Sequence, residues 1–92
     1  MLKPEFTAQF KKDYKAAVKR GCDVEKLEKV IGLLVAEKKL PALYHDHSLE
    51  NSRGYVNMRE CHIQPDWLLI YEIDDSQLFL YLTRTGTHSD IF

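Results

Sequence analysis

The sequence contains little proline, glycine or cysteine: three prolines, four glycines and two cysteines occur among its 92 residues. The few prolines and glycines fall between segments of regular hydrophobic spacing, which excludes flexible linkers and low-complexity regions. Cys22 and Cys61 are far apart and neither has a neighbouring cysteine, so neither a disulfide framework nor a Cys-x-x-Cys motif is indicated. We therefore expect one domain, residues 1–92, with two reduced cysteines.

The sequence also lacks a long hydrophobic run and a large net charge. No segment approaches the roughly 20 apolar residues that cross a bilayer, and the N-terminus lacks the apolar stretch of a secretory signal. These absences predict a soluble, cytoplasmic protein without a membrane partner. A net charge of −1 argues weakly against general nucleic-acid binding. Residues 1–43 nevertheless carry ten Lys and Arg against six Asp and Glu, an excess that a solvated helical surface explains equally well.

Two amphipathic helices are predicted in the N-terminal half. Apolar residues recur at helical spacing from Phe6 to Val18, which predicts a first helix over residues 7–20 that ends at Gly21. Asp23 is placed to cap a second helix. We expect this helix to end before Leu40, because the proline that follows disfavours helical geometry in the preceding residue. The short connection predicts an antiparallel helical hairpin.

The C-terminal half is predicted to form a sheet. Residues 55–63, 67–73 and 77–84 are rich in β-branched and aromatic residues and predict an antiparallel meander. The middle segment is apolar throughout, as expected of a central strand covered on both faces. Residues 1–5 are a candidate edge strand, and residues 41–54 are predicted to be a surface loop. The predicted fold class is α+β, with the helical hairpin on one face of a small antiparallel sheet and the opposite face partly free.

The histidines are the unusual feature of the composition, because all four fall within residues 44–92, among Asp66, Arg59 and Arg84. Histidine exchanges protons near neutral pH. RNA is cleaved without a metal when a base activates the ribose 2′-hydroxyl, a cation stabilises charge on the phosphate and an acid protonates the leaving 5′-oxygen. Histidine and arginine are the residue types that this reaction needs.

The predicted topology brings these residues to one end of the sheet. In an antiparallel meander the end of one strand adjoins the start of the next, which places His62 beside Asp66 and Trp67. The last strand runs in the same direction as the strand that carries His62, so Arg84 and His88 are expected at the same rim. His47 lies in the preceding loop, which we expect to bring it to this cluster.

Three motifs give the sequence a specific resemblance. They are R-E-C-H-I-Q-P-D-W-L-L-I-Y from Arg59 to Tyr71, R-T-G-T-H from Arg84 to His88 with Phe92 at the end, and D-H-S-L from Asp46 to Leu49. In this order and spacing, and with the two N-terminal helices, the chain resembles the YafQ-type toxins of the RelE superfamily. The resemblance implies a microbial-ribonuclease-like fold and a toxin that degrades messenger RNA in the ribosomal A site. It also implies a small antitoxin partner of the ribbon-helix-helix type, with operator DNA bound only through that antitoxin.

The resemblance also implies roles for particular residues, with no cofactor and no metal. The expected acid and base groups are His47, His62, Asp66 and His88. Arg84 is expected to contact the scissile phosphate, and Trp67 and Phe92 to hold the RNA or the site, as stacking on an aromatic ring permits. Arg59 is a further candidate for substrate binding, with pairing to Glu60 or Glu72 as its structural alternative. The resemblance leaves open which histidine is the base; our hypothesis makes His88 the acid.

Several alternatives remain at this point. Trp67 is a core residue or a half-exposed ring, and His45 is expected to be a surface residue. His45 and His47 form an H-x-H pair that would seed a zinc site if two further ligands joined it. The function has two rivals: a binding module similar to the ParE toxins that inhibit gyrase, and an inactive toxin that only assists an antitoxin in repression.

Overall fold

The computed structural model of the chain describes residues 1–49 and 57–92. Its elements, in chain order, are β1 (Lys3–Phe6), α1 (Ala8–Lys19), α2 (Val24–Val35), a short 3₁₀ turn (Ala42–Tyr44), β2 (His47–Ser48), β3 (Arg59–Gln64), β4 (Trp67–Asp74), β5 (Phe79–Gly86) and α3 (His88–Ile91). Residues 50–54 of the expected loop and the first two residues of the predicted meander, Tyr55 and Val56, lie outside the described residues. No helix in the described part is long and apolar enough to cross a bilayer.

The two N-terminal helices begin and end at residues suited to those positions. Thr7 caps α1 by accepting a hydrogen bond from the Phe10 amide at 3.0 Å. Gly21 ends α1 with a left-handed φ of +80°, which costs glycine little. Asp23 caps α2 as predicted, but α2 ends at Val35, earlier than expected, because Glu37 takes a left-handed conformation.

The strands form one five-stranded sheet in the order β1-β5-β4-β3-β2. The meander β3-β4-β5 is antiparallel, as predicted, and β4 is its central strand. The edge strand β1 was also predicted, but it pairs in parallel with β5, so the sheet is mixed. The expected loop over residues 41–54 contains a second difference, since His47 and Ser48 pair with β3 as the short strand β2. The fold class is α+β, as predicted.

The main core lies between the helical hairpin and one face of the sheet. Its buried helix residues pack against alternate residues of the meander: Phe10, Ala17, Leu27, Val30 and Leu34 contact the face that carries Cys61, Ile63, Leu69, Tyr71, Leu80 and Leu82. We call this side the hairpin face. Both cysteines are free thiols, and burial raises the pKa of Cys61 to about 12. This thiol therefore packs rather than reacts.

The opposite side of the sheet carries a smaller apolar cluster. Leu68 and Ile70 of β4 are fully buried there beneath Ile91 of α3, with Leu49, Met58 and Phe92 packed around them. The predicted partly free face is thus partly covered by α3, an element that the sequence analysis did not predict. We call this side the histidine face for the residues described below.

Replacement of Leu82 by alanine tests the hairpin-face core. Leu82 has no exposed surface, so we expect Leu82→Ala to lower the free energy of unfolding by about 2–5 kcal/mol through lost burial and a residual cavity. Leu43, which is 67% exposed, is the matched control, and its replacement by alanine should change stability by less than about 0.5 kcal/mol. Guanidinium denaturation measures both. Equal effects of the two substitutions would contradict the described core.

Candidate active site

Alternation along β3 places a carboxylate and an imidazole on the histidine face. Glu60 pairs across the sheet with Ile70, and His62 pairs with Leu68, so both residues share the side of the small apolar cluster. The intervening Cys61 is in the hairpin-face core. The sequence E-C-H thus puts two polar side chains beside each other on one surface.

Glu60 is buried, with only 7% of its side chain exposed, and two imidazoles face its carboxylate. Its Oε1 lies 3.2 Å from Nε2 of His62 and 3.5 Å from Nε2 of His47. A buried carboxylate is costly unless it is paired. The two imidazoles are its neighbours, which explains how the histidine face holds a charge close to apolar residues.

The other ring nitrogens of these two histidines meet backbone carbonyls. Nδ1 of His47 lies 2.7 Å from the carbonyl oxygen of His45, and Nδ1 of His62 lies 3.3 Å from that of Pro65. Because a carbonyl only accepts, Nδ1 carries the proton in each contact. Nε2 is therefore the nitrogen that each ring presents to Glu60.

His88 reaches the same cluster from the end of β5. Its ring centre lies 5.9 Å from that of His62. Its backbone amide and its Nδ1 lie 3.2 Å and 3.0 Å from Oδ1 of Asp66. The contacts with His88 lower the pKa of Asp66, because they stabilise the charged carboxylate. A carboxylate at Nδ1 fixes the ring and leaves Nε2 as the nitrogen for proton exchange.

The structure therefore brings together four of the predicted catalytic residues, which are His47, His62, Asp66 and His88. Phe92 joins them, since its ring centre lies 6.4 Å from that of His88. His45 is exposed, as expected of a surface residue, and its ring lies 5.7 Å from that of His62. The cluster opens on a pocket of about 710 Å³ lined by Leu43, His45, His47, His62, Ile63, Gln64 and Pro65.

Arg84 lies near this cluster on β5, where it pairs with Ile70 across a bulge that makes Thr83 the additional residue. Strand spacing puts its Cα on the order of 10 Å from that of His62. The guanidinium is directed to α1, where Nε and NH2 donate to Asp13 at 3.0 and 3.1 Å. Asp13 therefore holds Arg84 by two charge-assisted hydrogen bonds.

Trp67 is a core residue, which is the first of its two alternatives, and its ring is not half-exposed. Only 6% of its surface is exposed, and it belongs to the main core. Its indole N–H donates to Oγ1 of Thr85 at 2.9 Å, and that hydroxyl donates to the carbonyl of Leu68 at 2.7 Å. A buried indole N–H needs such a partner. Trp67 thus holds the site in place and offers no exposed face for base stacking.

Arg59 is not brought to the cluster either. It pairs with Tyr71 in the register, on the hairpin face, and donates to both carboxylate oxygens of Asp46, at 3.3 and 3.0 Å. Its expected partners, Glu60 and Glu72, are replaced by Asp46. The hydroxyl of Tyr71 also donates to Asp46, and burial raises the pKa of Tyr71. This network anchors the segment that leads to His47.

Glu60 is the site residue that the sequence analysis missed. The available signal was its position two residues before His62 in a predicted strand, which gives both side chains the same face. No metal site joins the cluster in residues 1–49 and 57–92, where no group of three or more His, Cys, Asp or Glu side chains is placed to hold a metal ion.

Comparisons with known proteins agree over nearly the whole chain. A family model described as a bacterial toxin of type II toxin-antitoxin system, YafQ, matches residues 2–92. The mRNA interferase toxin YafQ of Escherichia coli strain B / BL21-DE3 is 44% identical over 90 residues, which are 96% of this chain and 92% of that protein.

Solved structures show the same fold. The E. coli DinJ-YafQ complex matches with a TM-score of 0.89 and 41% identity, covering 100% of this chain and 99% of that one. A metal-bound toxin from Helicobacter pylori matches with a TM-score of 0.92 and 42% identity over 100% of both chains. The chain therefore belongs to the YafQ family of bacterial toxins of type II toxin-antitoxin systems.

Proposed function

We propose that the chain is an endoribonuclease that cuts messenger RNA on the ribosome without a metal. The observation that carries this proposal is the assembly of His47, His62 and His88 with Glu60 and Asp66 on one face of the sheet. A binding module has no need of such a cluster. The relatives named mRNA interferase toxin YafQ support the same activity.

The base and the acid are different histidines of the cluster in this proposal. The base is His62 or His47 in its neutral form, whose unprotonated Nε2 takes the proton from the ribose 2′-hydroxyl, and the carboxylate of Glu60 stabilises the imidazolium that forms. The 2′-oxygen then attacks the adjacent phosphorus, and the bond to the 5′-oxygen breaks. His88, oriented by Asp66, donates the proton that the leaving 5′-oxygen needs. The products are a 2′,3′-cyclic phosphate and a 5′-hydroxyl.

Arg84 is the proposed cation for the phosphate. A guanidinium stays charged and carries planar N–H donors whose forked geometry fits phosphate oxygens. The hydrogen bonds with Asp13 keep the Arg84 side chain oriented before RNA binds. Phe92, beside His88, is the proposed aromatic contact for the RNA. Trp67 and Arg59 enter the proposal as supports of the site, because their contacts are within the protein.

The ribosome supplies the positioning of the message. A chain of net charge −1 has little general attraction for a polyanion, and the pocket beside the histidines is open. The proposed partners are therefore the ribosome with its messenger RNA and a ribbon-helix-helix antitoxin that covers or distorts the histidine face in the cytoplasm. The solved E. coli DinJ-YafQ toxin-antitoxin complex supports an antitoxin partner. Operator DNA is contacted only through the antitoxin, and no membrane is involved.

Cleavage mapping tests the proposed activity. After expression of the toxin, primer extension on translated messages should reveal cut sites for the wild type, and His62→Ala/His88→Ala should lower cleavage by at least about 10²-fold, because proton-transfer groups are lost. The same message without ribosomes should be cut poorly. Growth arrest by the double variant without any RNA cleavage would instead indicate a gyrase-type binding toxin. Antitoxin binding without growth arrest by the wild type would indicate a co-repressor.

The role of Arg84 is tested with a companion substitution. Arg84→Ala should lower the cleavage rate by about 10²- to 10³-fold, the usual loss when one stabilising donor is removed from a site of developing negative charge. It also leaves the largely buried Asp13 carboxylate without its guanidinium. Asp13→Asn/Arg84→Ala removes that unpaired charge and should remain as slow as Arg84→Ala in single-turnover assays. Recovery of wild-type cleavage in the double variant would show that Arg84 acts only through stability.

The contact between Asp66 and His88 predicts a change in titration. The pKa of Asp66 is lowered first by the side-chain hydrogen bond from His88, so His88→Ala should raise it toward the ordinary range, as measured by ¹³C NMR of the carboxyl group. Since the folded-state pKa is depressed, the stabilisation is present above the unfolded pKa and is lost as pH falls through the folded pKa. An unchanged Asp66 titration in His88→Ala would contradict the described orientation of the ring.

A further inference from the structure

The helix that carries His88 is short. α3 spans four residues, His88–Ile91. A helix of this length does not persist on its own. The position of the His88 ring therefore depends on what holds α3 to the rest of the molecule.

Besides the contacts of His88 with Asp66, three further interactions stabilise α3. Ile91 is buried against Leu68 and Ile70 on the histidine face. A capping box joins Thr87 and Asp90, with the Asp90 amide 3.1 Å from Oγ1 of Thr87 and the Thr87 amide 3.0 Å from Oδ2 of Asp90. The third contact comes from outside the helix and is ionic.

Arg20, at the end of α1, binds Asp90 with both branches of its guanidinium. NH1 donates to Oδ2 at 2.7 Å and NH2 to Oδ1 at 3.2 Å. This forked geometry fixes orientation as well as distance. The hydrogen bond from Arg20 is also the largest cause of a pKa of Asp90 far below its usual range, so the carboxylate stays charged near neutral pH.

The Asp90 side chain also lies against the end of β5. Gly86 has a φ of +155°, and a Cβ added to it would lie 2.9 Å from Oδ2 of Asp90 and 3.1 Å from its Cβ. The strand and α3 are therefore in close contact through this carboxylate. Asp90 consequently joins α1, the end of β5 and α3 at one point.

We propose that Arg20 is a positioning residue for RNA cleavage, which fixes α3 through Asp90 and so holds His88 in place beside His62. This inference rests on the proposed function, in which His88 donates a proton. Arg20 itself is 70 positions from Asp90 in the sequence, and it acts on the reaction only through the helix that it anchors.

An ion pair with this exposure contributes little to the free energy of unfolding. The side chains of Arg20 and Asp90 are 52% and 29% exposed, and solvent screens such pairs strongly. Proton transfer is far more sensitive, since a displacement of about 1 Å can cost about 10²-fold in rate. Loss of the pair should therefore lower the catalytic rate more than it lowers stability.

Steady-state cleavage of a ribosome-bound message tests the proposal, with the toxin released from co-expressed antitoxin. Arg20→Ala should lower kcat by about 5- to 20-fold, a fraction of the loss caused by a misplaced group, with KM nearly unchanged. Asp90→Asn keeps an acceptor for the Thr87 amide and should give a similar loss. The double variant should be no slower than either single variant, because both remove the same interaction. Arg20→Lys should recover part of the rate.

Two controls separate this inference from its foundation. Lys19→Ala removes a neighbouring exposed positive charge from α1 and should leave kcat unchanged. Arg20→Ala should not slow His88→Ala further. If His88→Ala cleaves as fast as the wild type, the proposed function fails. If His88→Ala is slow but Arg20→Ala cleaves normally, only the positioning role is overturned. A raised KM in Arg20→Ala, with normal cleavage by Asp90→Asn, would overturn it in favour of direct RNA contact.

Discussion

A carboxylate on a largely apolar sheet face is the constraint from which the arrangement of the site follows. Glu60 stands in β3 beside the buried Leu68 and Ile70, and its burial is tolerable only with paired groups around it. The imidazoles of His47 and His62 are those groups. The contact with this carboxylate therefore favours the position of β2 at the edge of β3. It also brings the proton-exchanging rings of His47 and His62 close together. The contacts that stabilise the buried Glu60 are thus the same ones that the proposed catalysis uses.

α1 provides hydrogen-bond partners for the part of the β5 edge that β1 does not pair with. β1 pairs with β5 only as far as Leu82, so the following edge groups need other partners. The hydroxyl of Thr7 donates to the carbonyl of Thr83, and Oδ2 of Asp13 accepts from the amide of Thr85. The same helix also binds Arg84 and Asp90. One helix thus organises both the proposed phosphate contact and the helix that carries His88.

Much of the fold and part of the candidate site were predictable from local sequence patterns. Helical spacing, the cap at Asp23 and the apolar middle strand gave the hairpin, the meander and the central position of β4. The antiparallel order of β3, β4 and β5 also placed His62, Asp66 and His88 at one rim. These elements are governed by short-range rules, and tertiary packing did not override them.

The remaining features depend on contacts between distant parts of the chain. β1 is stabilised by its parallel pairing with β5, the short strand at His47 by its contact with Glu60, and α3 by its ion pair with Arg20. Each of these partners is distant in the sequence from the element that it stabilises. Trp67 was ambiguous because its environment depends on Thr85, which lies 18 positions away. Arg59 pairs with Asp46 rather than with Glu60 or Glu72, since alternation puts Glu60 on the other face. Glu60 itself was predictable from its spacing to His62 but carries no motif of its own.

The most direct test of the central claim concerns the ribose that the histidine face is proposed to activate. A message with a single 2′-deoxynucleotide at a mapped cut site should resist cleavage there on the ribosome, while the unmodified message should give a 2′,3′-cyclic phosphate and a 5′-hydroxyl. Cleavage of the 2′-deoxy position at an undiminished rate, or products with a 5′-phosphate, would contradict acid and base catalysis by this cluster.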